Sequence, residues 1–200
     1  MRHIHADPVT LPGLMIFGLG VIAFVIAVLA ARRRRARGGV ETVATRRSIS
    51  WLWIVVQGIG VGIAGFGPVL PTLDPISPQG MGEILSVAVL IGGAVWLFHA
   101  SSRTMGNNWS LVARTRDDHS LVRSGPFGYV RHPIYVAIFL FMLAMAVAYG
   151  HVANLLVAVP VYALGTWMRV RHEERLLRDA FGADYDDYAA GVSRFVPGIF

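Results

Sequence analysis

Two short polar segments of an otherwise apolar chain carry side chains that could bind a charged ligand. Residues 125–135 read Gly-Pro-Phe-Gly-Tyr-Val-Arg-His-Pro-Ile-Tyr. Pro133 stands where a proline opens the following apolar segment as a helix, and a helix start favours an anion. The second segment offers two adjacent carboxylates, Glu173 and Glu174. A site with one basic side and one acidic side would suit a zwitterionic ligand. The candidate binding residues of the first segment are Gly125, Tyr129, Arg131, His132, Pro133 and Tyr135.

Composition indicates a membrane protein. Hydrophobic residues make up 54% of the 200 residues and charged residues only 15%, with a mean hydropathy of +0.55. All 18 basic residues are arginine, so the net charge of +6 is permanent at physiological pH. The basic residues form no aromatic-interleaved patch of the kind that binds nucleic acid. Because cysteine is absent, disulfides, thiolate metal sites and a cysteine nucleophile are excluded.

Five apolar segments predict an all-α integral membrane fold in a single membrane domain, residues 1–200. The first three form one group within residues 11–100, and residues 101–200 supply a cytoplasmic loop, a helical hairpin and a tail that build the site. Both a full crossing and a shallow hairpin fit the short fourth and fifth segments. The fifth helix is expected to continue out of the membrane and to stop at Gly182. The segments are 11–31, 49–70, 81–100, 134–149 and 152–168.

Arginine-rich segments predict the orientation of these helices. Residues 32–47 and 101–132 carry many arginines and are expected to be cytoplasmic, which places the N-terminus outside and the C-terminus inside. Residues 1–12 lack the features of a cleaved signal peptide, so we expect them to be retained. Only a two-residue turn separates the last two segments. Residues 125–135 and the glutamate pair should therefore lie side by side at the cytoplasmic end of one hairpin.

The polar residues of the candidate site also have structural interpretations. Glu173 follows Arg169 by four residues, a spacing typical of a helix-surface ion pair. Glu174 precedes Arg178 by the same spacing. Arg131 could be a charge that sets membrane orientation, and His132 could be a helix cap. The tyrosines could be interfacial anchors (Tyr129, Tyr135) or packing residues of the tail (Tyr185, Tyr188).

Within the first three spans, a few residues invite specific predictions. Gly58, Gly62 and Gly65 recur at helical spacing, which predicts close approach of a neighbouring helix. Glu83 lies near the outer end of the third span and is expected to reach the outer interface. His99, near the inner end, either hydrogen-bonds within the bundle or faces the site.

Several motifs in order resemble the isoprenylcysteine carboxyl methyltransferase family, which itself resembles the phospholipid N-methyltransferases. The resemblance covers the chain from about Met105 to its end. Ala137 is a departure, because that position is often glycine in the family, and it is expected to narrow the cofactor pocket. The motifs are Gly125-Pro126-Phe127-x-Tyr129-Val130-Arg131-His132-Pro133-x-Tyr135, Glu173-Glu174, Phe181-Gly182-x-x-Tyr185-x-x-Tyr188 and Arg194-Phe195-x-Pro197-Gly198.

The resemblance implies an integral-membrane methyltransferase that binds S-adenosylmethionine at the cytoplasmic side and requires no metal. Arg131, His132 and nearby helix-start amides would hold the carboxylate of this cofactor, and Tyr135 would line it. Glu173 or Glu174 would take its ammonium group or ribose hydroxyls. The acceptor would be a lipid or another lipophilic small molecule that enters from the membrane lipids between helices. If it is a carboxylate, Arg194 or Arg171 would position it.

Two other functions fit parts of the pattern. A membrane reductase of the sterol-reductase type, using NADPH, resembles this family in its C-terminal half, but such proteins tend to have more spans. A non-catalytic membrane scaffold would retain the fold, but it would not need the clustered polar residues. The residues do not separate a prenylated cysteine from a phospholipid amine or a small thiol as acceptor.

Overall fold

A computed structural model describes residues 6–37, 50–106 and 121–199. Within these ranges the regular structure is helical, apart from isolated bridges between single residues. Two short 3-10 helices, Gly125–Gly128 and Val152–Asn154, precede α4 and α5. The predicted cytoplasmic arginines Arg46, Arg47, Arg114 and Arg116 lie outside the described residues. The α-helices are α1 (Leu11–Arg37), α2 (Ser50–Ala64), α3 (Pro78–Met105), α4 (Pro133–Ala148), α5 (Leu155–Phe181) and α6 (Ala183–Gly191).

The first five helices correspond to the five predicted apolar segments. Three stretches are long and apolar enough to cross a membrane: Leu11–Arg34, Pro78–Met105 and Val152–Phe181. Helices α2 and α4 are apolar but shorter, with 15 and 16 residues. Three membrane-crossing helices are therefore supported by length and composition, whereas crossing by all five stays a prediction.

Local sequence explains where the helices begin and end. The hydroxyl of Ser77 accepts a hydrogen bond from the amide of Gly80, which caps the start of α3. Pro133 occupies the first turn of α4, as predicted. The fifth helix runs without interruption to Phe181 and stops at Gly182, whose φ of +52° favours glycine. The prediction that the second segment is helical to residue 70 is wrong, because α2 ends at Ala64 before a glycine- and proline-rich stretch.

Helix α4 lies at the centre of the bundle. One side of it packs on α1 and α3, where Ala144 and Ala148 contact the buried ring of Phe17 and neighbouring residues. Its other side packs on α2 and α5, where Met142 lies against Tyr162. Ala137 is fully buried in a cluster with α1 and α3 residues. The side chain of Ala137 thus packs helices together, which does not support the expected narrowing of the cofactor pocket.

One end of the bundle joins the N-terminal segment, the α2–α3 loop and the α4–α5 turn. The amide of Asp7 donates to the carbonyl of Gly150 at 2.9 Å, and the amide of Val9 donates to the carbonyl of Leu70 at 2.9 Å. Glu83 is half-buried here and accepts a hydrogen bond of 3.1 Å from the amide of Thr10 at the start of α1. It therefore binds the N-terminus of a neighbouring helix, and its position at the outer interface stays a prediction.

The prediction for the glycines in and just after α2 is confirmed for only one of the three. A side chain at Gly58 or Gly62 would meet nothing within 4 Å, so neither glycine is needed for a close helix contact. Gly65 lies against the side chain of Met145, which agrees with the predicted packing role. Gly60 of α2 does permit a close contact with α5, because an added Cβ would lie 2.7 Å from the backbone nitrogen of Tyr162, and sequence periodicity did not single it out.

Candidate functional site

The site lies at the opposite end, where the start of α4, the C-terminal half of α5 and the C-terminal tail meet. Residues 125–132 enter it through the 3-10 helix Gly125–Gly128, which begins with φ of +58° at Gly125. The amide of Arg131 donates to the carbonyl of Ser193 at 2.8 Å, and that of His132 donates to the carbonyl of Arg194 at 3.1 Å. The tail thus uses two of the backbone amides that were predicted to face a cofactor's carboxylate.

Glu174 is the centre of the charged cluster and is buried, with 5% of the residue exposed. Arg194 donates to it twice, from Nε to Oε1 at 3.0 Å and from Nη2 to Oε2 at 2.9 Å. His132 Nε2 lies 3.3 Å and Arg131 Nη2 lies 3.6 Å from the same Oε1. The hydrogen bonds to Glu174 raise the pKa of Arg194 above its ordinary value, so this arginine remains charged.

Arg178 does not pair with Glu174 on the helix surface, as the alternative interpretation required. Its Nε lies 2.7 Å from Oδ1 of Asp186, so it instead joins the exposed end of α5 to α6. The carboxylate of Glu174 points into the cluster, where basic groups from two segments, the start of α4 and the C-terminal tail, meet it. Glu174 therefore serves as an internal anion that holds these segments together.

Glu173 has a different environment from its neighbour. Its side chain is 23% exposed, compared with 6% for that of Glu174. The hydroxyl of Tyr135 donates to Oε1 of Glu173, and His132 Nδ1 lies 3.8 Å from Oε2. The imidazole therefore lies between the two carboxylates. Arg169 Nη2 is 3.9 Å from Oε1 of Glu173, which agrees with the predicted helix pair, although both residues also contact the site.

The C-terminal tail closes over this cluster. The hydroxyl of Tyr188 donates to the carbonyl of Phe127 at 2.7 Å, and burial raises the pKa of this phenol to about 12. Tyr185 is 1% exposed, and burial raises the pKa of its phenol as well. Arg131 Nη1 donates to the carbonyl of Ala189 at 3.0 Å. The predicted packing role of the two tail tyrosines is therefore confirmed, and the tail is part of the site.

Other predicted residues lie further from the cluster. Tyr129 is 73% exposed, and His99 is exposed on α3, so neither contributes to the cluster. Arg171 is exposed on α5 and makes no ion pair or hydrogen bond within the described part of the chain. A side chain at Gly125 would meet Thr104 Oγ1 at 2.8 Å, so Gly125 permits a close contact between the loop and α3. Pro133 is buried at the start of α4.

Sequence reasoning missed a buried polar network behind the site. Gln57 of α2 donates from Nε2 to Thr166 Oγ1 and accepts from Arg169 Nη1, each at 2.7 Å. Tyr162 donates to the carbonyl of Tyr135 at 2.7 Å. A lone glutamine in an apolar helix is a signal that could have pointed to this network, because buried polar groups need partners.

Taken together, the fold and the site define an all-helical integral membrane protein with an ionic site enclosed by its own C-terminal tail. The profile of one family, phospholipid methyltransferase, matches residues 83–184. The chain therefore belongs to the phospholipid methyltransferase family. This result agrees with the resemblance of its motifs to the isoprenylcysteine carboxyl methyltransferases.

Individual relatives extend this comparison. The protein-S-isoprenylcysteine O-methyltransferase of Mus musculus is 31% identical over 156 residues, which cover 75% of this chain and 49% of that protein. The cobalt-zinc-cadmium resistance protein CzcN of Cupriavidus metallidurans is 33% identical over 100 residues, covering 50% of this chain and 46% of the relative. The chain therefore spans about half the length of these curated relatives.

A solved structure shares the fold. The eukaryotic intramembrane Ras methyltransferase ICMT, an isoprenylcysteine carboxyl methyltransferase, superposes with a TM-score of 0.58 at 24% identity. The match covers 94% of this chain and 68% of that protein. Nearly the whole chain, including α1 and α2, thus takes part in a known integral membrane fold.

Proposed function

We propose that this protein is a membrane methyltransferase that uses S-adenosylmethionine and transfers its methyl group to a lipophilic acceptor. Family membership supports this proposal, and so do the names of the relatives. The observation that carries it is that the site keeps one basic donor and one carboxylate available for a ligand. Arg131 Nε is buried without a hydrogen-bond partner in the described part of the chain, and Glu173 keeps 23% of its side chain exposed.

The basic side of the site fits the carboxylate of the cofactor's methionine part. A buried cationic donor without an acceptor is costly, and an anion bound beside Arg131 Nε would satisfy it. The hydroxyl of Tyr185 is a second buried polar atom without a hydrogen-bond partner in the described residues. It interacts electrostatically with Glu174 and Arg131. In this proposal Arg131, with His132 beside it, holds the carboxylate through side chains, since the tail occupies their amides.

The acidic side of the site fits an ammonium group or ribose hydroxyls. The hydroxyl of Tyr135 fixes Oε1 of Glu173, and Oε2 faces His132 at 3.8 Å. The rings of Tyr135 and Phe195 both lie near this imidazole, with centroid distances of 5.8 and 5.9 Å. Aromatic faces of this kind stabilise a sulfonium cation. Glu173 is therefore our candidate for contact with the cofactor, and Glu174 holds the surrounding basic groups in place.

When bound, S-adenosylmethionine supplies an electrophilic methyl group on a positively charged sulfur. The protein's own contribution is alignment and exclusion of water. We propose that the tail and α6 exclude water, and that Arg194 positions a carboxylate acceptor. Arg194 lies on Glu174 and over the ring of Trp167 at 5.2 Å, with 23% of its side chain exposed. A role for Arg171 stays a prediction without support from its position.

We propose that the site faces the cytoplasm. Arginines at the site end of α1 and α3, and before α4, support this orientation because cytoplasmic segments carry an excess of arginine and lysine. These arginines are Arg32, Arg33, Arg34, Arg103 and Arg123.

The lipophilic nature of the acceptor rests on the names of the relatives and on the membrane position of the site.

Titration calorimetry on the purified full chain in detergent micelles tests the proposal. We expect saturable binding of S-adenosylmethionine, and no comparable heat from NADPH. Binding of NADPH alone would favour a reductase, and absence of binding by both compounds would favour a non-catalytic scaffold. Either of these results would contradict the proposal.

A further inference from the structure

Two glycines bring α2 unusually close to α5 beside Gln57. An ideal Cβ at Gly60 would lie 2.7 Å from the backbone nitrogen of Tyr162. On the facing helix, an ideal Cβ at Gly165 would lie 2.9 Å from the backbone nitrogen of Gln57. Neither position can hold a larger residue without a backbone shift. The side chain of Gln57 therefore lies directly against the surface of α5.

Both ends of the Gln57 amide are hydrogen-bonded in this contact, and the residue is only 5% exposed. Nε2 donates to Thr166 Oγ1, and Oε1 accepts from Arg169 Nη1, at 2.7 Å each. The Thr166 hydroxyl can donate or accept, whereas the Arg169 guanidinium can only donate, so Arg169 fixes the orientation of the amide. Its oxygen therefore faces Arg169, and the bond to a charged donor is of the stronger kind.

Arg169 connects Gln57 to the candidate site. Its guanidinium carbon lies 5.0 Å from the ring centroid of Tyr135, and its Nη2 lies 3.9 Å from Oε1 of Glu173. The hydroxyl of Tyr135 donates to the same oxygen. Arg169 and Tyr135 thus converge on Oε1 of Glu173 and leave Oε2 facing His132.

We propose that Gln57 is a positioning residue of the site, which holds Arg169 and, through it, the side chains of Tyr135 and Glu173. This proposal rests on the proposed binding of S-adenosylmethionine. It assigns a role in the site to α2, which lies outside the matched residues 83–184. A positioning role differs from simple packing because it depends on the acceptor oxygen of Gln57 and acts through Glu173.

The test measures the affinity of the full chain for S-adenosylmethionine by calorimetry in a double-mutant cycle. We expect Gln57→Leu to weaken binding about tenfold, because one hydrogen bond to a charged group is lost. Gln57→Glu keeps an acceptor for Arg169 and should bind within about threefold of the wild type. In a Glu173→Gln background, Gln57→Leu should add little further loss, because both changes act on one contact.

Asn154→Ala is the matched control. Asn154 Nδ2 donates to the carbonyls of Ile63 and Phe66, so it joins the same two helices at the far end of their interface. We expect this variant to unfold at a lower temperature and to bind S-adenosylmethionine like the wild type. If Gln57→Leu does not fold, Gln57→Asn takes its place, because the shorter side chain loses its reach to Arg169.

Each outcome separates the two proposals. Wild-type binding that Gln57→Leu leaves unchanged would overturn the positioning role alone. An equal loss of affinity in Asn154→Ala, or a loss fully additive with Glu173→Gln, would show a packing effect and would also overturn it. Absence of binding by the wild type would overturn the proposed function, and the positioning role with it.

Discussion

Arg194 and Glu174 form a two-point contact, with N–O distances of 3.0 and 2.9 Å, between the C-terminal tail and α5. Arg131 and His132, at the start of α4, approach the same carboxylate. Three segments that are distant in the chain therefore meet on one buried anion. The adjacent Glu173 is more exposed, so the two glutamates of the pair have separable roles that mutation can distinguish.

Glu174→Gln should destabilise the protein strongly. The substitution leaves Arg131 and Arg194 without their common anion, and loss of one partner from a buried ion pair costs about 3 kcal/mol or more. The free energy of unfolding, measured by denaturant in detergent, checks this. Glu173→Gln is the matched control and should cost much less, because that side chain is partly exposed. Equal losses in the two variants would contradict the assigned roles.

Glu173→Gln and His132→Ala should each weaken the binding of S-adenosylmethionine while leaving the protein folded. Glu173→Gln removes the negative charge that is proposed to meet the cofactor, and His132→Ala removes the imidazole that lies between the two carboxylates. Loss of one interaction with a charged group corresponds to about tenfold in affinity. Calorimetry measures the change, and circular dichroism confirms the helical content. Unchanged affinity in both variants would remove the basis for placing the cofactor here.

The sequence predicted where the helices of the site begin and end, but it did not predict how the C-terminal tail packs against the site. Pro133 opens α4 and Gly182 ends α5 through local backbone preferences, which a sequence displays directly. The short turn at Gly150 also predicted that His132 and the glutamate pair would meet, and they do. Local patterns carried these predictions because each depends on residues close together in the chain.

Other features depend on contacts between distant segments. Nothing in the spacing of Glu173 and Glu174 shows which one is buried, because that is decided by the tail that folds over them. The hydrogen bond from the Arg131 amide to the carbonyl of Ser193 likewise forms only because the tail folds back onto the start of α4. Gln57 could not be assigned because its role depends on which helix packs beside α2.

Gly165→Ala should destabilise the protein, because the added Cβ would lie 2.9 Å from the backbone nitrogen of Gln57. Gly62→Ala is the control, since its Cβ would meet nothing within 4 Å. Alanine favours a helix over glycine by about 1 kcal/mol, so the control should be neutral or stabilising. Thermal unfolding midpoints in detergent compare the two variants. A stable Gly165→Ala protein would contradict the close contact between α2 and α5.

The docking of α6 should weaken at high pH. Burial raises the pKa of Tyr188 from 10.0 to about 12. The folded state therefore keeps its proton where the unfolded chain loses it, and this contribution to stability falls as pH rises from about 10 to about 12. Hydrogen exchange is too fast at this pH, so limited proteolysis by an alkaline-active protease reports the release of α6. Tyr188→Phe should weaken docking at neutral pH and remove this part of the pH dependence; an unaltered profile would refute the assignment to Tyr188.

Transfer of a labelled methyl group from S-adenosylmethionine tests the central proposal most directly. The wild-type protein in membranes is incubated with the labelled compound and a total extract of lipids and lipophilic small molecules, and the organic phase is then counted. We predict that label enters a lipophilic product, and that Glu173→Gln greatly reduces it at limiting cofactor. If no label is transferred by protein that is folded and membrane-inserted, the proposed methyltransferase function is contradicted.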